Sequence, residues 1–262
     1  ETLILKRYSR PHEPMDYGGP IAKQLGMRTV EHDRWQYLEL GDFPEAEFLA
    51  SCPPGLETNW APCEPDVEQR IVFTGYGGTL WDRIVNLGAH FPRTDISGVS
   101  LGEFRLRTGF VHLPVAFIGA TSRMSIRRIS TSPEMALWSI NESYDRPIAR
   151  RIVEEAGVDR HLFGQEKRGS VVQFSIPGVA EGEELVAPRS VGSLNGPLTE
   201  QSREDFIRYF IDYIAEGGKT EPSLNRQRGL LMCWGVDKIR HRYEAARKIP
   251  STTADARVLV HS

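Results

Sequence analysis

Residues Gln69–Arg83, QRIVFTGYGGTLWDR, decide how this chain is read. The β-branched and aromatic run Ile71-Val72-Phe73 stops at Thr74-Gly75-Tyr76-Gly77-Gly78, and an amphipathic segment, Leu80 to Val85, follows at once. A buried strand that turns through glycines into a helix start brings backbone N–H groups onto an anion such as a phosphate. Glycine belongs there because only it lets the main chain close on a ligand in unusual φ/ψ. A βα turn that needs glycine for its shape alone has the same signature, and both readings stand at this point.

Upstream of this turn, Thr2-Leu3-Ile4-Leu5 reads as a short buried strand, broken by Arg10-Pro11-His12-Glu13-Pro14. Pro20 to Leu25 reads as a helix stopped by Gly26, and Arg28-Thr29-Val30-Glu31 as a second strand. Strand, helix, strand in that order predicts a parallel sheet, which the strand at 71–73 is expected to continue. Residues 40–66, rich in Pro, Gly and Glu, read as a surface connection.

Downstream, Asp145 to Ala156 predicts a helix with Pro147 in its first turn, Ile148, Ile152 and Val153 on one face, and Gly157 as its stop. Ser202 with Asp205 reads as a capping box. It opens a helix striped by Phe206, Ile207, Phe210, Ile211 and Ile214 and ended by Gly217-Gly218. Residues 226–249 predict a last long helix whose basic face, Lys238, Arg240, Arg242 and Arg247, is expected to be solvated.

The 262 residues allow one large domain or two small ones with a substantial core. A hydrophobic content of 40% and a charged content of 26% belong to the soluble globular class. The net charge of -3 gives no reason to expect a nucleic-acid partner or an acidic membrane. Cys52, Cys63 and Cys233 include no CxxC pair and read as reduced packing thiols of a cytoplasmic protein. No apolar run approaches the ~20 residues of a membrane span. The chain opens at Glu1 rather than methionine, so further N-terminal sequence is expected ahead of it. The seven histidines show no HxH or HExxH spacing, and Ser97 and Ser125 lack a GxSxG context. A metal hydrolase and a serine nucleophile elbow are therefore not supported.

The second informative stretch is Tyr144–Lys167, YDRPIARRIVEEAGVDRHLFGQEK, a basic helix leading through a loop to a lysine near Gly164 and Gly169. Together with the glycine turn it resembles the synthetase domain of asparagine synthetase and of its relative β-lactam synthetase. Thr74-Gly75-Tyr76-Gly77-Gly78 lies where that family has its SGxGxDE-type turn, and Asp145-Arg146-Pro147-Ile148-Ala149-Arg150 where it has its K-x-x-L-R helix. Gln165-Glu166-Lys167-Arg168-Gly169 lies where it has its lysine loop. Leu113-Pro114-Val115-Ala116-Phe117-Ile118-Gly119 looks like a loose form of its R-V-P-F-L-D segment.

The resemblance implies an α/β fold of the adenine-nucleotide hydrolase-like, ATP-pyrophosphatase type, a parallel sheet flanked by helices over residues 1–175; the remainder, 176–262, reads as a mainly helical part packed on it. It implies a ligase that uses ATP and Mg²⁺. ATP adenylates a small-molecule carboxylate, pyrophosphate leaves, and ammonia or an amine attacks to form an amide. With no glutaminase domain in these residues, the amine is expected from free ammonia, a separate glutaminase subunit or the substrate itself. The resemblance gives Gly75, Gly77 and Gly78 the pyrophosphate cradle and Lys167 the charge of the tetrahedral intermediate. Tyr76 stands where asparagine synthetases place a glutamate and β-lactam synthetases a tyrosine. It either acts as a base in a dyad with Glu103 or packs on the nucleotide or the sheet edge.

Three departures accompany the resemblance. The family's opening SGGxDS loop is not in these residues and would precede Thr2. Thr79-Leu80 replaces the acidic pair that helps hold Mg²⁺, leaving Asp82 as the nearest carboxylate. Gln165 stands where the lysine loop usually carries arginine. The alternative is a degenerate member of the same fold that binds a nucleotide or other ligand without catalysis.

Overall fold

The computed structural model describes residues 1–6, 17–53, 55–83, 98–141, 144–163, 172–174, 194–218 and 224–247. The helices are α1 (Gly19–Gln24), α2 (Ala46–Ser51), α3 (Glu64–Val67), α4 (Gly102–Thr108), α5 (Arg123–Ser130), α6 (Pro147–Glu155), α7 (Glu200–Ala215) and α8 (Leu224–Arg247). Strand β1 (Thr2–Lys6) pairs in parallel with β2 (Thr29–Asp33), in register from Thr2 with Thr29 to Lys6 with Asp33. Helix α1 is their crossover. It starts with Pro20 in its first turn, where a missing N–H is harmless, and is followed by Gly26 at a left-handed φ of +65°.

The chain is mixed α/β with short parallel sheets, but β1 and β2 are not continued by the strand at 71–73. That strand, β3 (Ile71–Thr74), pairs in parallel with β4 (Val111–Pro114), and β5 (Val172–Phe174) pairs in parallel with β6 (Leu194–Gly196). Among the described residues there are three two-stranded sheets in place of one continuous sheet. The neighbouring edges of β1 and β3 face each other across a cleft instead of bonding.

The largest correction concerns residues 40–66: between Glu45 and Cys63 they supply the centre of the core and not a surface connection. Helix α2, the 3₁₀ turn Thr58–Cys63 and α3 bury Phe48, Leu49, Cys63 and Val67 beside Phe104 of α4 and Trp234 of α8. Glu45, Glu47 and Glu57, which suggested a surface, are buried because each satisfies several donors. Glu57 accepts from the N–H groups of Gly98 (2.6 Å) and Ser100 (3.1 Å). Glu47 accepts from Arg107 Nε (2.9 Å) and Nη2 (2.8 Å), and from Arg242 Nη1 (2.9 Å), tying α2 to α4 and α8. Composition cannot reveal such pairing, and a buried carboxylate is tolerated only with it.

Three further expectations shift in detail. Helix α6 has Pro147 in its first turn as expected but begins there, two residues after Asp145, and it buries Arg150 and leaves Ile152 63% exposed. It packs on the 3₁₀ segment Pro133–Trp138, with the Arg150 guanidinium 5.5 Å from the Phe163 ring; burial pushes that guanidinium's pKa down. Helix α7 is capped by Thr199, whose Oγ1 accepts from the Ser202 N–H at 3.2 Å, so Ser202 is the third residue of the helix and not its cap. Of its stripe, Phe206 is buried, while Ile207 and Ile211 are exposed. The basic face of α8 is not simply solvated: Lys238 pairs with Asp205 and lies over the Phe43 ring, and Arg242 reaches the buried Glu47. Helix α8 seats on α2 through Gly235, where a Cβ would stand 2.6 Å from the Ala46 carbonyl oxygen.

Candidate functional site

The glycine turn leaves the carboxyl end of β3, the end at which ligands bind in open parallel α/β sheets. Gly77 takes φ +77°, and a Cβ there would stand 2.5 Å from the Phe117 ring, which packs over the turn from the segment after β4. Both the backbone conformation and the space therefore require glycine. The turn closes partly on itself: the Gly78 N–H donates to the Gly75 carbonyl at 3.2 Å, and the Leu80 N–H to the Gly77 carbonyl at 3.1 Å. The Gly78 amide expected to cradle pyrophosphate is thus already used inside the turn. The indole of Trp81 donates to the Ala116 carbonyl at 2.8 Å and holds the end of the turn against the β4 side.

The second motif docks directly on the first. Arg146 lies against the Cα of Gly78, donates from Nε to the Asp82 carboxylate and from Nη1 to the Tyr144 hydroxyl (3.1 Å), and stacks 4.3 Å from the Tyr144 ring centroid. The neighbouring pair is crossed. The Arg83 N–H donates to the Asp145 carbonyl at 2.7 Å, and the Arg83 guanidinium lies 3.7 Å from the fully buried Asp145 carboxylate. Asp145 also accepts from the Ser139 hydroxyl and the Ile140 N–H. Trp81-Asp82-Arg83 and Tyr144-Asp145-Arg146 therefore clasp each other reciprocally.

Asp82, the candidate Mg²⁺ ligand, is committed to Arg146, and its side chain is largely buried. Among the described residues no group of three or more His, Cys, Asp or Glu could hold a metal ion. Mg²⁺ bound through Asp82 and phosphate oxygens would have to displace Arg146 from the carboxylate. The described residues do not fit Mg²⁺ as they stand.

The tyrosine and glutamate of the candidate dyad have other neighbours. Tyr76 packs edge-on against His112 (5.7 Å, 77°) and lies 6.5 Å from Trp60. Glu103, on α4, accepts from the Tyr243 hydroxyl of α8, while its own N–H donates to Ser51 Oγ at 2.8 Å. Lys167 lies outside the described residues, as do Gln165, Glu166, Arg168 and Gly169.

Two concavities flank the turn. A cleft of about 850 Å³ runs between β1 and β3 and reaches Gly75 and Tyr76. A smaller pocket of about 400 Å³ is lined by Gly98, Leu101, Arg105, His112, Pro114 and Phe117. His112 ties the smaller pocket to the strand end: its Nε2 lies 2.7 Å from Oγ1 of Thr74, which lines the larger cleft, across the register that pairs Val72 with His112. His112 and Arg146 are the polar groups that motif reading passed over. The repeated aromatic-Asp-Arg tripeptide was the available signal for Arg146, and a histidine between apolar residues of a short strand gave none for His112. Comparison with protein-family models, with curated proteins and with solved structures yields no match for this chain.

Proposed function

We propose that this chain forms amide bonds at the expense of ATP, activating a small-molecule carboxylate as its acyl-adenylate and passing it to ammonia or an amine. One observation carries this reading. The glycine turn and the helix of the second motif, which the resemblance to asparagine and β-lactam synthetases puts in one active site, meet through Arg146 against Gly78 and Asp82. A guanidinium fixed over a glycine turn at a strand's carboxyl end suits the negative charge of a departing pyrophosphate. In this reading Gly75 and Gly77 let the nucleotide approach, Tyr76 lines its cleft, and Lys167 meets the charge of the collapsing intermediate. ATP supplies the leaving group, and no step is assigned to Mg²⁺.

A second reading has its own observation. Asp82 is neutralised by Arg146 rather than held open, which favours a member of this class that binds a nucleotide or another ligand without turning it over.

Pyrophosphate release from ATP, measured with Mg²⁺ across a panel of carboxylic acids, decides between them. The expected result is release that depends on one acid and disappears in Lys167→Ala. Nucleotide binding without release for any acid supports the second reading, and neither binding nor release removes both.

A further inference from the structure

The cleft between β1 and β3 has the hydrogen-bonding pattern of a missing strand. In a parallel pair, alternate residues turn their N–H and C=O groups toward the partner. Thr2 donates to the Arg28 carbonyl and Lys6 accepts from the Arg34 N–H, so Thr2, Ile4 and Lys6 face β2. By alternation, Leu3 and Leu5 present their backbone groups to the opposite edge. Arg70 accepts from the Val111 N–H, so Arg70, Val72 and Thr74 face β4, and Ile71 and Phe73 present theirs away from it. Both open edges line the same cleft of about 850 Å³, and no described strand pairs with either. The two strands set out from the same end, since the Glu1 carboxylate is 3.0 Å from the Arg70 guanidinium.

A second feature points the same way. Ile71 and Phe73 of β3 and Val111 and Leu113 of β4 put their side chains on one sheet face, and all four are exposed, Phe73 by 67%. Parallel strands are otherwise covered on both faces by their crossover helices.

From these edges and this face we infer that the cleft is the seat of one further β-strand, parallel to β1 and β3, and that the bare face of β3–β4 is the seat of the helix that follows it. The occupant is a strand–helix unit of this chain's own polypeptide, leading into Glu1. Only a polypeptide strand matches backbone donors and acceptors on both walls at once. Glu1 stands at the mouth of the cleft, so a segment joined to it reaches the slot through a crossover helix, as a parallel strand must. The unit would merge two of the short sheets into one five-stranded parallel sheet. This inference does not depend on the proposed chemistry.

Hydrogen exchange with residue resolution tests it, comparing the chain that starts at Glu1 with the protein made from its whole reading frame. The amides of Leu3, Leu5, Ile71 and Phe73 are expected to exchange fast in the first and at least about a hundredfold more slowly in the second. As a second readout, Ile71→Pro removes a donor that faces the slot and not β4. It should lower the unfolding midpoint of the longer protein more than that of the shorter. Protection of the four amides in the chain starting at Glu1 would overturn the inference, because its own residues would then already fill the slot. Equal exchange in both proteins, or a reading frame that opens at Glu1, would overturn it as well.

Discussion

Asp82 and Arg146 are separated by 64 residues and share an ion pair that is mostly shielded from solvent. The crossed contact between Arg83 and Asp145 makes the contact reciprocal, so the turn after β3 and the start of α6 form one unit. Removing one partner of such a pair leaves a charge in a poorly solvated place, which is worse than removing both. Arg146→Ala is expected to cost about 3 kcal/mol of stability in urea unfolding. The double variant Asp82→Asn, Arg146→Met should lose less than the single one. Equal losses for Arg146→Ala and a neighbouring surface variant such as Arg127→Ala would show that the clasp contributes nothing.

The seating of α8 on α2 leads to opposite effects at two glycines of one helix. A Cβ at Gly235 would stand 2.6 Å from the Ala46 carbonyl oxygen and 2.9 Å from the Ala50 nitrogen. Both are backbone atoms, so the helices would have to separate. Helix propensity favours alanine by at most about 1 kcal/mol, while overpacking costs about 1–3 kcal/mol, so the clash wins. Gly235→Ala should therefore lower the melting temperature. A Cβ at Gly229 meets nothing within 4 Å, and Gly229→Ala should raise it. A gain at both positions would mean that the close approach at Gly235 is absent in solution.

Local chemistry was legible in this sequence wherever neighbours in the chain decide it. The strands at 2–6, 29–33 and 71–74 and the starts of α1 and α6 all sit where alternation, proline and glycine place them. What was not legible depends on partners far away. Glu47 is buried because Arg107 and Arg242 arrive from α4 and α8, and Arg150 is buried while Ile152 is exposed because of how α6 lies on its neighbours. At the candidate site the glycines could be read directly. The engagement of the Gly78 amide, the neutralisation of Asp82 and the pairing of Glu103 with Tyr243 could not, since each needs the tertiary arrangement.

Glu103 gives a prediction that separates structural from chemical roles. Its carboxylate holds the Tyr243 hydroxyl and raises that phenol's pKa, on a surface where such bonds contribute little. Glu103→Gln and Tyr243→Phe should each shift the melting temperature by no more than about 2 °C. If pyrophosphate release is detected, both should retain it within about twofold. Loss of release in Glu103→Gln with full retention in Tyr243→Phe would instead restore Glu103 as the partner of Tyr76.

Glu45 makes the stability of the chain depend on pH. Its carboxylate is fully buried at the start of α7, accepting from the Thr199 N–H and from the Ser202 hydroxyl (2.5 Å). Burial pushes its pKa above the ordinary 4.5, and the hydrogen bonds from Ser202 and Thr199 oppose that without overcoming it. The folded protein therefore keeps this proton at a pH where the unfolded chain has released it. The contribution is complete below the unfolded value and is lost as pH rises through the folded one. Glu45→Gln keeps an acceptor for the Thr199 N–H and removes the titration. Its stability relative to the parent should therefore rise as the pH climbs above the ordinary carboxylate range and level off above the folded pKa. Glu45→Ala, which leaves the Thr199 and Ser202 donors without their acceptor, should be less stable than Glu45→Gln throughout. Urea midpoints across that range measure both differences, and a constant gap between Glu45→Gln and the parent would mean that Glu45 does not change its proton occupancy on folding.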